Sequence, residues 1–187
     1  MRTKPEEIIE FHKYILIKLL ENFRDYKSLT YGNIIKFKAK GLLDEPLWKI
    51  VEACGKYNVN FISKGVKELA DELDMSYKDI KVLKIDEFIK NNIGNQLDSG
   101  IVITDKKDYK IQLEHVTPRK TIIENIIKLE SDEDIHKYID EMCVGCLVLK
   151  FEHEKLNDNI CNNNNLWLRY KEAGIKVFDK KGDKWVW

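Results

Sequence analysis

The spacing of apolar residues changes partway along this chain, and that change limits the fold more than any other feature. Up to Gly94 they recur at three- and four-residue intervals, the pattern of helices buried along one face. Past the turn signal Asp98-Ser99-Gly100 the texture shifts. Ile101-Val102-Ile103-Thr104 and Tyr109-Lys110-Ile111-Gln112-Leu113 flank Asp105-Lys106-Lys107-Asp108, which predicts two short strands. Helices followed by a strand-bearing segment predict an α+β chain. We place the boundary near residue 95, with a helical domain over 1–95 and a mixed domain over 96–187.

In the first part, Pro5-Glu6-Glu7 marks a helix start, because proline lacks the amide that goes unpaired there and carboxylates suit the positive end of the dipole. Ile8, Phe11, Ile15, Leu19 and Phe23 form the expected apolar stripe, widened by Leu16 and Leu20. A shorter helix is predicted from after Thr30 to Gly41. Another runs over about 44–57, with Leu47, Ile50, Val51 and Cys54 on one face. Residues 63–92 predict two helices around a tight break, with Val66, Leu69, Ala70 and Leu73 as one stripe and Ser76 capping the second helix. The run from Lys67 to Ser76 resembles the first helix and turn of a helix-turn-helix. That resemblance implies Tyr77, Lys78, Lys81 and Lys84 on or near a recognition helix. An ordinary helical hairpin with solvated lysines accounts for the same pattern.

In the second part, Thr117-Pro118 ends a strand, and Ile122, Ile123, Ile126 and Ile127 predict a helix over 121–129. Ser131-Asp132-Glu133-Asp134 supplies a cap and an acidic first turn for the next helix. The stretch Asn162-Asn163-Asn164-Asn165 reads as a loop, and a later helix ends at Gly174. Trp185 and Trp187 predict a tail docked on its own domain or on a second subunit.

The 32 basic and 32 acidic side chains cancel to a formal net charge of zero, so nucleic-acid contact must come from local basic patches. The first residues lack the apolar run of a signal peptide, and no stretch reaches the length of a membrane span. Four cysteines in a chain of 187 residues read as reduced thiols. These features predict a cytoplasmic protein without membrane contact.

Two segments carry chemistry. Glu114-His115 closes an apolar strand, and a second strand beginning at Leu147 runs into a helix bearing His153 and Asn157 four residues apart. Phosphodiester hydrolysis needs a base to deprotonate water and a cation to stabilise the phosphorane. Imidazole suits the first role near neutral pH. If both residues lie in regular strand, Glu114 and His115 point to opposite faces; the approach to Pro118 is expected to relax that alternation. A surface strand end and a solvated helix histidine are the plain alternatives.

Leu113-Glu114-His115-Val116-Thr117-Pro118 resembles the acidic-His-x-x-Pro opening of HNH nucleases, members of the ββα-metal superfamily, and 147–157 resembles their second strand and metal-binding helix. The resemblance implies a ββα-metal-like domain with His115 as general base and one divalent ion, Mg²⁺ first, held by Glu114, His153 and Asn157. It further implies a DNA endonuclease of restriction or mobile-element defence type. A dimer would place two single-metal sites on the two strands of a duplex. Lys78, Lys81, Lys84, Arg119 and Arg169 are the expected nucleic-acid contacts. The chain departs from the family where Cys143-Val144-Gly145-Cys146 stands in place of a Gly-rich loop with Asn, and where the intervening segment is longer and helical. Structural zinc at Cys143 and Cys146 is not expected, because a second CxxC is absent and no standard spacing reaches His153 or Cys161. The competing readings are a non-catalytic helix-turn-helix DNA-binding regulator and an interaction protein using the aromatic tail.

Overall fold

The computed structural model describes residues 4–26, 32–55, 57–77, 80–160 and 165–187, with side chains for all of these except 24–26, 32–40 and 82. In chain order the elements are α1 (Pro5–Tyr26), α2 (Gly32–Glu52), β1 (Phe61–Ser63), α3 (Lys64–Glu72), α4 (Val82–Asn91), β2 (Ile111–His115), α5 (Arg119–Ile126), α6 (Asp132–Met142), β3 (Gly145–Leu149), α7 (Lys150–His153), α8 (Leu168–Glu172), β4 (Val177–Asp179) and β5 (Lys184–Trp185). The chain is mixed α and β. Its compact units interleave in sequence: Met1–Cys54 with His115–Val144, and Gly55–Glu114 with Gly145–Trp187. The division falls at residues 54, 114 and 144 rather than near 95, because elements distant in sequence share each core. No helix among the described residues is long and apolar enough to cross a membrane.

The first unit is helical. α1 packs on α2, α2 on α5, and α6 on both α1 and α5. The Pro5-Glu6-Glu7 start is present. The buried face of α1, however, is Lys13, Leu16, Ile17 and Leu20, while Phe11 stands 58% exposed. Leu16 and Leu20 of the expected stripe are in that face, and Lys13 lies under the surface in ion pairs with Asp140 of α6 at 2.5 Å and Glu10 at 2.9 Å. The two helices expected on either side of Gly41 form one, with Gly41 and Pro46 inside α2. Leu43, Leu47, Ile50 and Val51 are buried at helical spacing, and this packing outweighs the local breakers. α5 buries Ile122, Ile123 and Ile126. α6 begins at Ser131, whose side chain accepts the Asp134 amide ahead of three acidic residues.

The second unit is built on a five-stranded sheet ordered β2-β3-β1-β4-β5. β1 runs parallel to β3 and antiparallel to β4; β4 and β5 form a hairpin. All five residues of β3 are buried, as a central strand covered on both faces requires. Of the predicted strand at 101–104, only Val102 makes a bridge, to Gln96 across the turn at Gly100. Helices α3 and α4 are separated by nine residues, and α4 starts from Lys81 without a side-chain cap, so Ser76 does not open it. That connection is longer than the three- to four-residue turn of a helix-turn-helix. Gly174 ends the helical segment at φ +68°, as its position predicts. Trp185 packs edge-on against Phe178, and Trp187 lies 5.7 Å from Trp167.

Candidate functional site

β2 remains regular to its last residue: Ile111, Leu113 and His115 are buried, while Gln112 and Glu114 are partly exposed. Glu114 and His115 therefore project from opposite faces of the strand. The expected relaxation before Pro118 does not occur. Within the helical unit, His115 is 3% exposed, its Nε2 lies 3.3 Å from the Leu47 carbonyl oxygen and its ring is 5.2 Å from Trp48. Cys143 Sγ donates to the same carbonyl at 3.4 Å, and burial pushes this thiol up to about 12. The imidazole is a packed core group there.

Within the sheet unit, Glu114 meets His153 and Arg169. The Glu114 side chain is 16% exposed; Nδ1 of His153 lies 3.0 Å from Oε2, and the Arg169 guanidinium pairs with Oε1. Arg169 is 1% exposed at its side chain, and its other terminal nitrogen reaches Asp158 at 2.5 Å. Burial favours the neutral carboxyl of Glu114, but the His153 contact and the Arg169 charge outweigh it and hold the group below the usual carboxylate range. The contact with Glu114 holds His153 above the ordinary imidazole value, against the opposing effect of burial.

Proximity to the carboxylate favours one tautomer of the neutral ring. An ionised carboxylate only accepts, so neutral His153 carries its proton on Nδ1 and leaves the Nε2 lone pair available. Nδ1 is buried and lies 3.0 Å from Glu114 Oε2 but forms no well-directed hydrogen bond, whereas the side chain as a whole is 43% exposed. With Nδ1 buried, the exposure of the side chain lies on its other atoms. An oriented imidazole backed by a carboxylate is a general acid–base unit.

A buried staple positions it. Glu152, one residue before His153, is 6% exposed and accepts from Ser63 Oγ, from the Leu149 amide at 2.9 Å and from the Gly65 amide at 3.2 Å. Burial raises its pKa despite these donors. Ser63 also caps α3 by accepting the Val66 amide. The ends of β1 and β3 are thereby tied together, and α7 is fixed at its first turn. The backbone of 108–110 adds to this, with the Asp108 and Lys110 carbonyls accepting the Phe151 and Lys150 amides at 2.9 Å.

Of the other predicted site residues, Arg169 is already part of this cluster. α7 ends at His153, so Asn157 falls beyond the helix, where its Oδ1 accepts the Asn159 amide at 2.9 Å. Asp158 joins the cluster in its place. Arg169 is an internal ion-pair partner rather than a surface contact. Arg119 pairs with Asp44 at 2.7 Å and lies over Trp48. Lys81 and Lys84 are exposed at the start of α4; Lys78 and Cys161 lie outside the described residues. Cys146 is fully buried and its thiol is held well above its ordinary value by burial.

Of the donors that the family resemblance implies for a divalent ion, Glu114 and His153 come together. Among the described residues, no three His, Cys, Asp or Glu side chains converge to hold a metal. Both oxygens of Glu114 are engaged, and a guanidinium in contact with that carboxylate opposes a second cation. Sequence reasoning found Glu114 and His153 but not Asp158 or the role of Arg169; the Asn157-Asp158-Asn159 turn offered only a loop signal. Comparisons with protein-family models, with curated proteins and with solved structures returned no match.

Proposed function

We propose that the sheet unit cleaves nucleic-acid phosphodiester bonds by general acid–base chemistry, with His153 as the proton-transfer group and Glu114 as the residue that orients it. The observation that carries this reading is the 3.0 Å contact between His153 Nδ1 and Glu114 Oε2 beneath a half-exposed ring. His153 takes the base role that the family resemblance implied for His115. Basic residues support the substrate class: Lys106, Lys107 and Lys110 are exposed on the segment bonded to the start of α7, and Lys155 lies exposed two residues beyond His153. Asp105, Asp108 and Glu154 are interleaved with these four lysines, which leaves a small positive excess that can attract phosphate in a chain of zero net charge.

Incubating the full chain with single- and double-stranded DNA and RNA, with Mg²⁺ and with EDTA, tests the reading. We expect strand cleavage in at least one arm and its loss in His153→Gln. Cleavage that persists in His153→Gln at the wild-type rate rejects His153 as the proton-transfer group.

A further inference from the structure

We propose that the outward face of α1 pairs with the same face of a second copy of this chain, the two helices running antiparallel about a two-fold axis. The pairing is independent of the phosphodiester chemistry above. One side of α1 is used within its own unit, where Leu16, Ile17 and Leu20 are buried beside Lys13. On the outward side Lys4, Glu7, Phe11, Tyr14, Lys18 and Glu21 recur at alternating steps of three and four residues. That alternation draws a narrow seam along a helix, the spacing by which one helix packs on another. Phe11 is 58% and Tyr14 57% exposed. Lys4, Glu7 and Lys18 are exposed and Glu21 partly so. At a rise of about 1.5 Å per residue the seam is about 26 Å long.

The seam is complementary to itself in one direction only. An antiparallel pair centred between residues 12 and 13 sets Phe11 against Tyr14 of the second copy, Glu7 against its Lys18 and Lys4 against its Glu21. Each contact occurs twice, as a two-fold axis requires. A parallel pair instead brings Glu7 to Glu7 and Lys18 to Lys18, so that like charges face each other at both ends.

The aromatic side chains at the centre supply the apolar area, and ring pairs add to it through their geometry. The charges at the two ends choose the orientation. Lys18 Nζ lies 2.7 Å from Glu21 Oε2, with the two side chains open to solvent at 49% and 40%. This pair meets Lys4 and Glu7 of the second copy as an alternating set of four charges. The seam itself carries no net charge to hold two copies apart. A single helix pair falls at the small end of specific interfaces, below about 1,200 Å² in total, so the association is reversible.

Sedimentation equilibrium of the full chain over about 1–300 µM tests the pairing. We expect a monomer–dimer equilibrium within that range. Phe11→Asp should weaken it by at least about 10-fold in Kd, with the circular dichroism of the dilute chain unchanged because the side chain is exposed. Glu7→Lys and Lys18→Glu should each weaken it by about 3–30-fold. The double variant Glu7→Lys/Lys18→Glu should return Kd to within about threefold of the unaltered chain, because exchanging both ends keeps opposite charges face to face in the antiparallel pair. A chain that stays monomeric over the whole range overturns the proposal, and so does a dimer whose Kd is unmoved by Phe11→Asp. A double variant that associates no more tightly than either single variant overturns the antiparallel arrangement.

Discussion

Replacing Arg169 by Met removes a buried cation while keeping an unbranched apolar stem of similar length, so the change isolates charge from packing. Two carboxylates lose a partner. Asp158 is 75% exposed, and an exposed pair of this kind contributes at most about 1 kcal/mol. Glu114 is different: its side chain is 16% exposed, and stripping one partner from a buried pair costs about 3–5 kcal/mol. His153 still faces Glu114, which puts the expected loss near the lower end, about 3 kcal/mol. For a domain of this size that lowers Tm by about 6–12 °C. Urea unfolding at pH 7, followed by circular dichroism and tryptophan fluorescence, gives the value. A double-mutant cycle with Glu114→Gln should return a coupling of about 2 kcal/mol, because the second substitution removes the charge that the first left unpaired. A loss below about 1 kcal/mol, or a coupling of zero, would refute the buried pair and with it the fixed orientation of Glu114.

Three further outcomes follow from the same contacts. Gly65→Ala should destabilise by about 1–3 kcal/mol, measured by urea unfolding, since an added Cβ would lie 2.8 Å from Leu149 Cδ1 and 2.9 Å from Glu152 Oε1. Ser63→Ala should cost about 1–2 kcal/mol, because it removes both the α3 cap and a donor to the buried Glu152 carboxylate. Native alkylation at pH 8 should modify exposed Cys54 well before Cys143, whose thiol is pushed up to about 12 by burial, with the order read by peptide mass spectrometry.

Some of this was legible in the sequence because the signals are local. The Ser131 cap with its acidic turn, the Gly174 stop and the isoleucine stripe of α5 each depend on residues within one or two turns. The strand at Leu147 was readable from its apolar run, and so was its passage into a helix bearing His153. What escaped depends on distant partners. β1 and β4 have three residues each and β5 two, too short to show alternation; β1 and β4 exist through pairing with each other across more than a hundred residues of chain, and β5 through its hairpin with β4. Lys13 lies under the surface in an ion pair with Asp140 of a distant helix, which no periodicity reveals. Glu114 and His153 were singled out together, but the sequence paired them as ligands of a metal. Nothing in it shows that Arg169 fills the space beside Glu114. Adjacent polar residues on a strand are separated by its alternation, and that places His115 among Leu47 and Trp48 instead.

The sign of the pH dependence follows from the two shifts. His153 lies above 6.5 in the folded chain, so its contribution to stability is complete below 6.5 and fades as pH rises through the folded value. Glu114 lies below 4.5, so its contribution is complete above 4.5 and fades as pH falls through its folded value. The pair stabilises the fold most between these limits.

Titrating the histidine ring signals by NMR, with His153 assigned by substitution, tests the Glu114–His153 pair most directly. We expect an apparent pKa above 6.5 for His153 that falls in Glu114→Gln and rises in Arg169→Met, since the guanidinium opposes protonation of the ring. A value at or below 6.5 that neither substitution moves would contradict the pair.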